Sequence, residues 1–276
     1  MPCDESSLGG LIFVLTCEHA CGRLPASYGT LGLPTDVLRS HWSYDVGAAQ
    51  VARRLARDLG CSYFEGRYSR LLIDLNRSET HRRLIPTTAG RLRIRPNEEI
   101  PVSERDFRLE RYWRPYRSAA EARICSLSRG PGMCVHVALH SFIPVLNGRR
   151  RTCDVGILYD PTRARERFVA RQLCSALRSA GAIVRLNYPY RGTADGFTTA
   201  LRRRLSPAGY AGLEIELNQS LLARAPRRRG VVIDALGTAL KNLVQAAVRS
   251  RADRAKSRQK CPRDSWRRLR SGAISD

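Results

Sequence analysis

Residues 11–20 read LIFVLTCEHA, an apolar run that stops at a carboxylate, Glu18, and an imidazole, His19. Residues 133–142 follow the same plan far downstream as MCVHVALHSF, with His136 and His140. Imidazoles and carboxylates gathered from distant parts of a chain can hold a divalent metal or move protons. A catalytic zinc takes three protein ligands and keeps one position open. His19 and His140 are the candidate imidazoles. The third ligand should be a carboxylate, with Asp45 the first candidate and Glu18 the alternative. In a continuing strand Glu18 and His19 would point to opposite faces, so joint ligation needs a turn, which Cys21-Gly22 can provide. No H-E-x-x-H occurs, so the helical zincin arrangement is excluded. His136, deeper in its apolar run, reads as a buried and satisfied histidine.

Proton transfer needs a second kind of group. Residues 213–219 read LEIELNQ and put Glu214 and Glu216 on one strand face. An acid in an apolar strand is costly unless paired or functional. Glu216 lies nearer the carboxyl end and is the candidate general base, with its pKa raised by burial. Arg77 and Arg191 are candidate carboxylate clamps, since guanidinium grips carboxylate through two parallel hydrogen bonds. Asn76 and Asn187 accompany them as candidate substrate contacts. A metal-free alternative uses Cys17 or Ser141 as nucleophile beside a histidine.

These groups need a scaffold, and the pattern predicts one. Strands are expected at residues 11–16, 61–64, 135–139, 154–159, 183–186 and 213–217, with a further apolar run at 71–75. Helices are expected from about 43 to 59, 103 to 128, 162 to 177, 195 to 205 and 230 to 248. Residues 84–102 read as a long Pro- and Arg-rich loop. Strands alternating with helices imply an α/β fold: a mostly parallel mixed sheet with helices on both faces. The polar groups then gather at strand ends: His19, Asn76-Arg77, His140-Ser141, Asn187 and Glu216. Open α/β sheets bind ligands along that rim.

The chain has 276 residues, enough to bury a full core without disulfides. One α/β domain over residues 1–248 is expected, then a basic, disordered tail over 249–276. The formal net charge is +23, with 48 Lys+Arg against 25 Asp+Glu, and favours anionic substrates. A non-enzymatic alternative is a basic module that binds nucleic acid through its tail. Nine cysteines, no C-x-x-C pair and no signal sequence read as reduced thiols of a cytoplasmic protein. The N-terminal apolar run is too short to span a membrane, and nothing in the sequence fixes an oligomeric state.

The sequence resembles the N-formylglutamate amidohydrolases. The likeness rests on Cys17-Glu18-His19-Ala20, Tyr44-Asp45, the run YSRLLIDLNR at residues 68–77, His140-Ser141-Phe142, the loop at 187–196, and Glu214-Ile215-Glu216. It covers about residues 11–220. The family is similar in fold to zinc carboxypeptidases and aspartoacylase-like deacylases, so the expected architecture is of that zinc carboxypeptidase-like, phosphorylase/hydrolase-like kind. The resemblance implies one Zn2+ per chain and hydrolysis of a small anionic N-formyl or N-acyl amino acid such as N-formylglutamate. It implies that Glu216 handles the water proton and that Arg77 and Arg191 hold substrate carboxylates. The first motif here is Cys-Glu-His-Ala, not the Pro-His-x-Gly type of the histidine-degradation enzymes, and the third ligand stays open between Asp45 and Glu18.

Overall fold

A computed structural model of the chain describes residues 10–130 and 132–259, without the side chains of Arg224 and residues 246–259. Along the chain run β1 (Leu11–Cys17), α1 (Thr35–Leu38), α2 (Ala48–Leu59), β2 (Ser62–Glu65), β3 (Thr88–Ala89) and β4 (Leu92–Arg93). Then come α3 (Val102–Arg108), α4 (Arg114–Ser128), β5 (Met133–Phe142), β6 (Val145–Leu146), β7 (Arg149–Arg150) and β8 (Val155–Leu158). The chain continues through α5 (Ala164–Ser179), β9 (Val184–Leu186), α6 (Phe197–Arg204), β10 (Tyr210–Asn218), α7 (Gln219–Arg224) and α8 (Pro226–Gln259).

Six strands form one sheet in the order β2-β1-β5-β10-β8-β9. All neighbours are parallel except β10 and β8. The sheet is mixed and mostly parallel, with helices on both faces, as the alternating pattern requires. One face packs on α2, α5 and α8, the other on α4 and α6.

Strand periodicity decides which residues reach the site. Phe13, Leu15 and Cys17 of β1, Val135, Val137 and Leu139 of β5, and Leu213, Ile215 and Leu217 of β10 all enter the larger apolar core. The alternate residues of these strands look the other way: Val14 and Thr16, then His136, Ala138 and His140, then Glu214 and Glu216. Register makes His140 and Glu216 direct partners on neighbouring strands. On this face Thr16 Oγ1 and Tyr210 Oη lie 2.8 and 2.9 Å from the two nitrogens of His136, a buried and satisfied histidine as expected.

Four features differ from the sequence expectation. The apolar run 71–75 is buried but forms turns rather than a strand, because its side chains fill two small cores under the loops rather than a sheet face. Asp45 lies in the turn before α2, not in the helix, whose N-cap is Gly47 with φ +83°. The long loop at 84–102 contains the β3–β4 ribbon and a short 3-10 turn. The last helix runs on to Gln259, so residues 249–259, expected in the tail, continue α8. The rest of the expected tail, residues 260–276, lies outside the described residues, as do Cys3 and Cys261. Among the described residues the seven other cysteines form no disulfide. Among the described residues no helix is long and apolar enough to cross a membrane.

Candidate metal centre and active-site cleft

β1 ends at Cys17, and the chain turns so that Glu18 and His19 both stay buried. The turn is pinned by the backbone. Asp45 N–H donates to the His19 carbonyl at 2.8 Å, Gly66 N–H to the Cys17 carbonyl at 2.9 Å, and Ser69 N–H to the Arg23 carbonyl at 2.8 Å. Three segments distant in sequence are thereby laced beside the end of β5.

His19, Asp45 and His140 each offer a ligand atom, and these atoms lie within 4.8 Å of one another, all buried. Asp45 Oδ2 is 2.8 Å from His140 Nδ1 and 3.4 Å from His19 Nδ1. The opposite edge of each ring is held by another carboxylate. His19 Nε2 is 2.6 Å from Asp74 Oδ1, and His140 Nε2 is 3.2 Å from Glu18 Oε2. Metal-bound histidines almost always give their outer nitrogen to such a partner, which fixes ring orientation and basicity. The donor set therefore fits a divalent metal. His19 Nδ1, His140 Nδ1 and an Asp45 oxygen face inward, and His19 Nδ1 has no hydrogen-bond partner among the described residues. Asp45, not Glu18, groups with the two histidines, and Glu18 lies behind His140.

The electrostatics follow from burial and this crowding of carboxylates. Burial opposes a charge on His140, but the hydrogen bond and field of Glu18, with Glu216 and Glu214 behind it, raise its pKa to about 9. Burial also opposes the Glu18 carboxylate, yet His140 brings it down to about 2. Asp74, likewise buried, falls well below the carboxylate range because of His19 and the arginines Arg70 and Arg77. For His19 burial comes first and Arg70 second, and its pKa falls to about 4. A site that holds three anionic carboxylates around two imidazoles attracts a cation.

Glu216 is buried beside this group, and its Oε2 lacks a hydrogen-bond partner among the described residues. Burial, with the field of Glu214 against that of His140, raises its pKa to about 7. Its neighbour Glu214 is engaged differently, accepting from Thr198 Oγ1 at 2.6 Å.

A cleft of about 710 Å³ opens over the cluster, with Asp45 and Asp74 in its wall. Five arginines line it: Arg70, Arg77, Arg82, Arg83 and Arg151. Arg70 also forms an ion pair with Asp45. Arg77 is anchored to the Asp195 carbonyl at 2.7 Å. Asn76 spans two elements: its amide nitrogen is 3.5 Å from His140 Nε2, and its oxygen accepts from Phe197 N–H at 2.7 Å.

Two expected substrate contacts are not brought to the cluster. Asn187 has φ +50° and spends its side-chain oxygen on Tyr159 N–H and Gly192 N–H, at 3.0 and 3.1 Å. It shapes its loop. Arg191 is exposed and is not part of the cleft lining. Of the two metal-free nucleophile candidates, Ser141 lines the cleft and Cys17 does not. The Cys17 thiol is buried in the core on the opposite sheet face, and burial pushes its pKa well up. Ser141 donates to the Val46 carbonyl at 2.9 Å and accepts from Gln219. The sequence reading missed Arg82, Arg83, Arg151 and His41, which also line the cleft. Arg70 and Asp74 were visible only as members of the YSRLLIDLNR run.

The family model for N-formylglutamate amidohydrolase matches residues 11–223. Among solved structures, the chain is similar to the gene product Atu2144 from Agrobacterium tumefaciens. Identity is 31%, with 88% of this chain and 92% of that chain covered and a TM-score of 0.73. It is also similar in fold to N-formylglutamate amidohydrolase from Ralstonia eutropha JMP134. There identity is 20%, coverage 87% of this chain and 95% of that one, and the TM-score 0.69. No curated protein sequence matches the chain.

Proposed function

The chain belongs to the N-formylglutamate amidohydrolase family, and on that footing we propose that it is a zinc-dependent enzyme cleaving the N-formyl or N-acyl amide of an acidic amino acid such as N-formylglutamate. The observation that carries this reading is the buried His19–Asp45–His140 group beneath an arginine-lined cleft, with a carboxylate behind each histidine.

His19, Asp45 and His140 would hold the metal. When bound, zinc supplies Lewis acidity at the amide carbonyl and lowers the pKa of water. The remaining work falls to side chains. Glu216 carries an unpartnered oxygen and a pKa near neutrality. It takes the proton of the attacking water and delivers it to the leaving nitrogen. Arg77, fixed by the Asp195 carbonyl, and the other cleft arginines receive the substrate carboxylates. Asn76 keeps His140 and the start of α6 in a common frame.

Metal analysis of the purified protein and a panel of formyl- and acetyl-amino acids test the reading. About one zinc per chain is expected, with activity highest on acidic formyl-amino acids and lost with chelator. His140→Ala loses both metal and activity. Glu216→Gln keeps the metal and loses turnover by about 10²–10⁴-fold. Full activity after complete metal removal rejects the proposal.

A further inference from the structure

A second cavity, of about 570 Å³, lies apart from the arginine cleft and shares none of its lining residues. Its walls are aromatic: Phe64, Tyr68, Tyr112 and Tyr116, with Tyr68 and Tyr112 packed edge to face at 5.1 Å. The lining carboxylate, Glu65, is already engaged. Arg53 binds it through two N–H groups at 2.8 and 3.0 Å, and the Tyr63 hydroxyl donates to it at 2.9 Å. Two other lining residues, Arg67 and Arg111, are exposed, and neither guanidinium has an ion-pair partner among the described residues.

The wall is built in an unusual way. Between α3 and α4 the chain makes a π turn, Leu109–Trp113, that carries Arg111 and Tyr112. Turns of this kind are rare and concentrate at functional sites. The volume falls within the range of small-molecule sites, about 300–1,000 Å³. Aromatic walls favour a flat ring. Uncommitted guanidiniums favour a carboxylate and repel an amine.

We propose that this cavity is a second ligand site that takes a small aromatic carboxylate. The proposal stands independently of the amidohydrolase reading. One wall residue, Tyr116, donates to Glu18 at 3.0 Å, so the occupant would sit one hydrogen bond from the group behind His140.

Binding to the full-length protein is measured by calorimetry and ligand-observed NMR. The probes are indole-3-acetate and phenylacetate, with cyclohexylacetate and phenethylamine as mismatched controls. The aromatic acids bind; cyclohexylacetate is several-fold weaker and phenethylamine does not bind. The Arg67→Glu/Arg111→Glu double variant weakens indole-3-acetate by at least about tenfold. Both arginines are exposed, so its melting curve should match that of the parent. Tyr112→Leu, which removes a ring and keeps apolar volume, also weakens binding. The proposal is overturned by no binding up to about 10 mM, by unchanged affinity in the double variant, or by displacement of the aromatic acid by N-formylglutamate.

Discussion

Glu18 and Asp74 hold the outer nitrogens of His140 and His19, so their loss should be felt through the metal rather than through the substrate. Asp74→Asn and Glu18→Gln keep the size of the group and remove the charge. Each is expected to weaken zinc binding by about 10–100-fold, read by competition with a metal indicator. Unchanged zinc affinity in both variants would mean that the inward edges of the rings are not the ligating ones. His136 has a different task. It is fully buried between Thr16 and Tyr210, and burial lowers its pKa from 6.5 to about 4. The unfolded chain then binds the proton more readily than the folded one between those values. The stability that His136 contributes is complete above pH 6.5 and is lost as pH falls toward 4, by roughly 3 kcal/mol in all. Urea unfolding across that range should give a shallower pH dependence for His136→Gln than for the parent. Identical slopes would show that the histidine is not held neutral.

At the level of elements, the site depends on close backbone approach as much as on side chains. A Cβ on Gly66 would lie 2.0 Å from the Glu18 carbonyl oxygen, and Gly66 N–H holds Cys17 at the end of β1. Gly66→Ala should cost roughly 1–3 kcal/mol and, because Glu18 must move, should also loosen metal binding. Gly230→Ala, where nothing lies within 4 Å, is the matched control and should be neutral or slightly stabilising. A Gly66→Ala protein with normal melting and normal zinc affinity would refute the argument. The elements also explain what could be read in advance. β1, β5 and β10 are legible as apolar runs, and period-2 alternation puts His140 and Glu216 on the face away from the main core. That the two sit side by side is a matter of parallel register, which no local pattern encodes. The run 71–75 has strand composition yet folds as buried turns, since apolar content alone does not choose between sheet and loop core. Asn187 looked like a polar strand end, but its left-handed backbone commits its side chain to the loop.

Across the whole molecule, charge is the property the sequence declares most loudly and locates least. Arginine is so abundant that the sequence alone does not separate Arg191, exposed outside the cleft, from Arg70, Arg77, Arg82, Arg83 and Arg151, which line it. Only the tertiary fold sorts them. Their convergence has a kinetic consequence beyond any one contact. A net charge of +23 together with five arginines around one opening makes a positive field that concentrates dianions. That field is screened within about 8 Å at physiological ionic strength. KM for a formylated dicarboxylic amino acid should therefore rise several-fold between about 0.05 and 0.5 M salt. KM for a formylated neutral amino acid, with one carboxylate, should rise less, and kcat should change little for either. Arg82→Ser/Arg83→Ser should flatten the salt dependence for the dicarboxylate while leaving the metal in place, because neither side chain touches His19, Asp45 or His140. Equal salt dependence for both substrates would place the discrimination in contacts rather than in the field. A salt effect on kcat instead of KM would put the sensitive charges at the reacting bond.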